Sequence, residues 1–179
     1  MKLFKKRSLK EYIIYTAIII CGIIADQISK ALAVQNLKDI NTLPLIEDVF
    51  HFTYVENRGA AFGMLADQRW LFLIVSSVAI IGFAMYLYMG HSQGRLYTAG
   101  ITMIISGGIG NMIDRLSLGY VVDFIDCRFV KYPTFSGGEV IFRTFPVFNV
   151  ADSIVCIGAG LLILALVREI IAEGRAKKK

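Results

Sequence analysis

The chain has 179 residues, 56% of them hydrophobic and only 18% charged, which is more apolar side chain than a soluble domain of this length can enclose in one core. A net charge of +5 raises nucleic acid as a partner, but the basic residues gather at the chain ends rather than on one face, which excludes that footprint. The composition is that of an integral membrane protein.

Four apolar runs are each long enough to cross about 30 Å of hydrocarbon as a helix: about residues 12–34, 70–89, 96–113 and 150–167. The first follows Met-Lys-Leu-Phe-Lys-Lys-Arg and so imitates a secretory signal, with Ala31-Leu32-Ala33 in place of a cleavage site. Asp26 and Lys30 interrupt the run before that point and favour a retained span. They stand at i and i+4, acid before base, near the outer end of the span, where such a pair is either a structural ion pair or part of a site. A Ser-Lys nucleophile from Ser29 and Lys30 does not fit, because helix neighbours point about 100° apart.

The outer loop of about residues 35–69 contains Val49 to Val55, a β-branched and aromatic stretch with period-2 alternation that predicts a strand ending at Asn57-Arg58-Gly59. From Asn57 to Gly63 a polar turn meets small residues, Gly59 and Ala60 among them, that allow another backbone to approach closely. By composition alone this is a turn into the second span. In the third span, Ser106 to Gly110 supplies small residues for helix packing. It ends in Asn111, Asp114 and Arg115. Asn111 and Arg115 are i and i+4, so both reach one site, and arginine is a natural clamp for a carboxylate.

The second outer loop, about residues 114–149, predicts two strands, Asp126 to Phe135 and Val140 to Phe145, around a Ser136-Gly137-Gly138-Glu139 turn. Asn149 can cap the last helix, with Asp152 completing a capping-box-like start. The termini are basic: five Lys/Arg lie in residues 1–11, one in 90–95 and five in 168–179, against Glu11, Glu169 and Glu173. Both termini are therefore expected in the cytoplasm. Asp123 and Asp152 then stand on the outer side, each at the edge of an apolar run. Two carboxylates that share one proton can activate water against a carbonyl. Their rival readings are an ordinary strand-edge acid and a helix cap. A small transporter with acidic gating residues, or a non-enzymatic assembly factor, are the other functions such a chain could serve. Cys21, Cys127 and Cys156 form no C-x-x-C, and His51 and His91 fall on opposite sides of the membrane, so no metal site or disulfide framework is expected.

Read in order, Asp26-Gln27-x-x-Lys30, Asn57-x-Gly59-Ala60-Ala61-Phe62, Gly110-Asn111-x-x-Asp114-Arg115, Val122-Asp123-Phe124 and Phe148-Asn149-x-Ala151-Asp152-Ser153 resemble the signature of the lipoprotein signal peptidases (signal peptidase II) of bacterial membranes. The resemblance implies an α-helical integral membrane protein with four transmembrane helices, a small extracytoplasmic β-sheet and an outer loop. It would form a single peptidase domain over residues 1–179, a monomer in the cytoplasmic membrane with no cofactor or metal. Its substrates would be diacylglyceryl prolipoproteins, cut just before the lipidated cysteine. The resemblance makes Asp123 and Asp152 the catalytic pair. It makes Asp26, Lys30, Asn57, Gly59, Ala60, Asn111, Arg115 and Asn149 substrate-binding or orienting residues. The connection from Asp123 to Asp152 is longer than the family's usual one, and the Ser136–Glu139 hairpin is the apparent insertion.

Overall fold

The computed structural model describes residues 8–59, 68–89, 94–128, 131–136 and 139–176. The elements run α1 (Leu9–Leu37), β1 (Thr42–Ile46), β2 (Phe50–Asn57), α2 (Arg69–Tyr88), α3 (Arg95–Ser117), β3 (Val121–Cys127), β4 (Lys131–Ser136), β5 (Glu139–Thr144) and α4 (Val150–Ala176). All four helices are long and apolar enough to cross a membrane. The 29 residues of α1 extend for roughly 43 Å, so its ends project past the hydrocarbon. Its start is fixed in the polar layer by a capping box. Glu11 N donates to Ser8 Oγ at 3.3 Å, and Ser8 N donates to Glu11 Oε2 at 2.8 Å. The outward faces carry large exposed side chains such as Ile18, Ile24, Ile74, Val78 and Ile163, as expected where the surrounding medium is lipid.

Helix α3 is the hub, packing against α1, α2 and α4. It is the least apolar of the four and by far the most enclosed. A buried cluster of Ile19, Leu87, Ile101 and Ile105 joins it to α1 and α2. Against α4 it relies on missing side chains. A Cβ on Gly100 would lie 2.7 Å from the Gly158 carbonyl oxygen, and one on Gly158 would lie 2.8 Å from that of Gly100. A Cβ on Gly107 would strike the Ala151 carbonyl oxygen. Backbone contact of this kind is what small residues permit between membrane helices. It also sets the first turn of α4 directly against α3, which decides where Asp152 stands.

Above the helix ends lies an antiparallel sheet of order β1-β2-β3. The cluster of Ala33, Leu37, Val122 and Phe124 seats it on the C-terminal end of α1. Val55 is opposite Asp123, and Asn57 is opposite Val121. An isolated bridge between Ile125 and Phe148 ties β3 to the residues just before α4. Two details differ from the sequence expectation. The expected strand of 126–135 is divided, with β3 beginning earlier, at Val121, and β4 starting only at Lys131. The strand β1 was not expected; it holds Pro44 at the sheet edge, where a missing N–H is tolerated. β4 and β5 form the expected hairpin as a separate two-stranded sheet, with Ser136 opposite Glu139 and the two turn glycines outside the described residues.

Candidate active site

Three neighbouring elements bring the two carboxylates together. Asp123 sits in β3 and is 1% exposed. Its Oδ2 accepts from Asn57 Nδ2 of β2 at 2.9 Å, and its Oδ1 accepts from Asn149 Nδ2 at 2.6 Å. Asp152, in the first turn of α4, accepts from Asn111 Nδ2 of α3 at 2.7 Å through Oδ1 and from Asn149 N at 3.2 Å through Oδ2. The two amides also touch, with Asn149 Nδ2 donating to Asn111 Oδ1 at 3.1 Å. Carboxylate, amide, amide, carboxylate thus form one continuous chain. No ion pair within 4 Å involves either acid among the described residues.

Burial and the charge of Asp152 push the Asp123 carboxyl up to about 7, against the opposing donors Asn57 and Asn149 and the charge of Lys30. Near neutral pH one member of the pair can therefore hold a proton while the other is ionised, the condition for acid and base work at one place. The capping reading of Asp152 is also correct. Its backbone N–H donates to Asn149 Oδ1 at 2.9 Å, which closes the box begun by the Asn149 N to Asp152 Oδ2 bond. One residue both starts the helix and faces Asp123's partner amide.

Beneath the pair lies a buried polar layer. Lys30 Nζ is 2.9 Å from Asp26 Oδ2 and 3.0 Å from Asp114 Oδ2, and it donates to Asn111 Oδ1 at 2.9 Å. Asp26 Oδ1 accepts from Ala151 N at 2.9 Å, and Asp114 Oδ2 from Val122 N at 3.1 Å. Gln27 Nε2 donates to Asp114 Oδ1 at 3.0 Å and to the Gly110 carbonyl at 3.2 Å. Gly110 is glycine for a local reason: a Cβ there would come to 2.5 Å from Asp26 Oδ2. Because Lys30 can only donate, it fixes Asn111 with Oδ1 toward itself and Nδ2 toward Asp152. Asp26 and Lys30, expected among the substrate-binding or orienting residues, are 0% and 3% exposed and lie behind the pair, where Lys30 orients Asn111.

Arg115 is placed differently from the expected carboxylate clamp. Its guanidinium donates to the Gly59 carbonyl at 3.3 Å and to the Asn111 carbonyl at 3.4 Å, and it lies 5.1 Å from the centre of the Phe72 ring. It holds the turn after β2, which Asn57 Oδ1 also holds by accepting from Gly59 N at 3.0 Å. Of the residues expected at the site, Asn57, Gly59, Asn111, Arg115, Asp123, Asn149 and Asp152 come together, while Ala60 lies outside the described residues. Asp114 and Gln27 were not singled out as site residues. Their signal was available in the spacing, since Asp114 is four residues from Gly110 and three from Asn111 on one helix face. Among the described residues no cluster of three or more His, Cys, Asp or Glu could hold a metal ion.

The overall fold, a four-helix membrane bundle capped at one end by a small sheet, is similar to two solved bacterial membrane enzyme structures: one matches with a TM-score of 0.74 at 29% identity over 94% of both chains, the other with 0.70 at 30% identity over 92% of this chain and 97% of that one. The family model for signal peptidase (SPase) II matches residues 18–168, and the chain belongs to that family, proteases that remove signal peptides from lipoprotein precursors. The lipoprotein signal peptidase of Clostridioides difficile (strain 630) is 45% identical over 83% of this chain and 91% of its own length. That of Halothermothrix orenii is 43% identical over 83% and 92%, and that of Bacillus subtilis (strain 168) is 35% identical over 93% and 99%. The family resemblance carried by the five ordered blocks is borne out.

Proposed function

We propose that Asp123 and Asp152 are the catalytic pair of this peptidase, which cuts prolipoproteins just before the diacylglyceryl cysteine on the outer side of the cytoplasmic membrane. The observation that carries this reading is the pair itself. A buried carboxyl, Asp123, and a half-buried one, Asp152, both free of ion pairs among the described residues, are joined through Asn111 and Asn149, and Asp123 is raised to about 7. The basic termini support cytoplasmic ends and an outward site. The chain works as a monomer and a single domain over residues 1–179, within membrane lipid that also holds its substrate.

The chemistry follows from the proton count. Asp123 starts protonated and donates to the scissile carbonyl oxygen, while Asp152 takes a proton from a water whose oxygen attacks the carbonyl carbon. A gem-diol results. Asp152 then passes its proton to the amide nitrogen as the carbon–nitrogen bond breaks, and Asp123 recovers one from a diol hydroxyl, so both acids return to their starting states. Every transfer is supplied by the two side chains and water, with no metal or organic cofactor. Asn57, Asn111 and Asn149 hold the acids, and Arg115 with Gly59 and Ala60 shapes the adjoining substrate turn.

The test is cleavage of a diacylglyceryl prolipopeptide, beside its unlipidated form, by purified Asp123→Asn and Asp152→Asn variants. Each should lose roughly a thousandfold in kcat while remaining folded, since an amide keeps the shape but cannot exchange the proton. Near-normal turnover by either variant would remove the dyad.

A further inference from the structure

Asp114 is 3% exposed, does not touch either acid of the proposed pair, and yet meets both of the systems that hold them. Its Oδ2 receives Lys30 Nζ at 3.0 Å and the backbone N–H of Val122 at 3.1 Å. Val122 immediately precedes Asp123 in β3. Lys30, in turn, sets Asn111, whose Nδ2 reaches Asp152. One carboxylate therefore bears on Asp123 through a strand and on Asp152 through a cation and an amide. Its Oδ1 is also engaged, by Gln27 Nε2 at 3.0 Å, so the side chain is locked at both oxygens.

The charge arithmetic gives it a second task. Lys30 is one buried cation between two carboxylates, those of Asp26 and Asp114, so the layer below the pair carries a net charge of minus one. With Asp26 alone the layer would be neutral. We infer that Asp114 is a positioning residue for the hydrolysis: it pins β3 at Val122 and adds a negative charge beyond the one with which Asp26 already balances Lys30, so that the lysine orients Asn111 without drawing off the proton the pair must share. The inference rests on the dyad reading above. The other charged groups around the pair are Arg115 on the same helix, bound to carbonyls, and the Glu56–Arg58 ion pair on either side of Asn57 in β2.

The readout is the pH dependence of kcat, which a merely structural residue would not move. Asp114→Asn keeps an oxygen for the Val122 N–H and removes one negative charge that is linked to Asp152 through Lys30 and Asn111. Both limbs of the bell should move to lower pH by roughly one unit, with kcat falling and KM nearly unchanged. Lys30→Met removes a positive charge and should move both limbs to higher pH. The double variant Lys30→Met/Asp114→Asn restores the net charge and should return the bell toward its wild-type position, although its kcat stays low because Asn111 has lost a donor. Should Asp114→Asn fail to fold, the shift is read in the Lys30→Met background, where the same substitution relieves an unbalanced acid. Asp123→Asn and Asp152→Asn are assayed alongside. If either turns over normally, the dyad reading and this inference fall together. If both are inactive and the Asp114→Asn and double-variant bells overlay those of their parents, the inference alone is overturned.

Discussion

Replacing Asp123 by asparagine should make the protein more stable at alkaline pH while removing its activity. The Asp123 carboxyl is raised from 3.8 to about 7, and with 1% of its surface exposed there is no solvent screening to discount. A carboxyl whose folded value is raised contributes stability fully below the unfolded value near 3.8 and loses it as pH rises through about 7. Three pH units correspond to about 4 kcal/mol that the wild-type fold forfeits between acid and alkaline pH. Asparagine never ionises, so it forfeits nothing. It does set one N–H against a neighbouring donor, because Asn57 and Asn149 both donate to Asp123, at a cost of about 1–2 kcal/mol. The net gain at pH 8 is about 2–3 kcal/mol, or roughly 5–10 °C in melting temperature. At pH 4 the order should reverse slightly, with the variant about 1 kcal/mol the weaker. Melting both proteins in the same detergent from pH 4 to pH 8, followed by circular dichroism, isolates Asp123 as the difference between two curves. A difference that stays constant across that range would refute the account, because burial of the Asp123 carboxyl beside the charge of Asp152 is what generates the slope.

Two further substitutions separate roles that share one side chain. Asn149→Ala loses both the helix cap and the donor to Asp123, and should cost about 2–4 kcal/mol, whereas Asn149→Ser retains a cap and should recover about 1 kcal/mol of that without recovering turnover. Equal melting temperatures for the two would count against the cap, and normal cleavage by the serine variant against the donor. Arg115→Ala should cut kcat at least tenfold by releasing the Gly59 turn, while Arg58→Ala, with a largely exposed side chain paired to Glu56, should change it less than twofold. Small and equal losses in a steady-state cleavage assay would show that the turn needs no guanidinium.

How far the sequence could be read depended on whether a residue's partner lay nearby along the chain. The four spans were legible because lipid imposes apolar runs of a set length, and the helices overrun the expected limits only where polar ends continue the hydrogen-bonding pattern, as in α4 from Arg168 to Ala176. Asp123 and Asp152 were legible through five ordered blocks. Asp152 was first weighed as cap against catalyst, and the choice was false, because Asn149 presents its oxygen to the helix start and its nitrogen to Asp123. The spacing places Asp114 on the helix face of Gly110 and Asn111, but its role was not legible there, because its partners, Lys30 and the Val122 N–H, come from α1 and β3. The direct contacts of Arg115 were hidden for the same reason, although the charges of Asp152 and Asp123 do act on it. Its contacts with Gly59 and Phe72 arise from the return of the chain through β2 and α2. Strand β1 escaped notice because Pro44 interrupts it, a penalty that applies only to strands with two neighbours.

The close seam between α3 and α4 also bears on how the protein is made. Asp152, both functional groups of Asn149 and the Ala151 N–H that occupies Asp26 all arrive with α4 and the residue before it, after α1, α2 and α3 have been made. Until then α3, the least apolar span, has an uncovered face of glycines, and Asp26 of α1 lacks its backbone donor. A nascent chain that ends before α4 thus holds one carboxyl of the proposed pair and a helix poorly suited to lipid. On the dyad reading, completion of the fold and onset of hydrolysis become the same event, and a copy that stops before α4 has no means of cutting lipoprotein precursors.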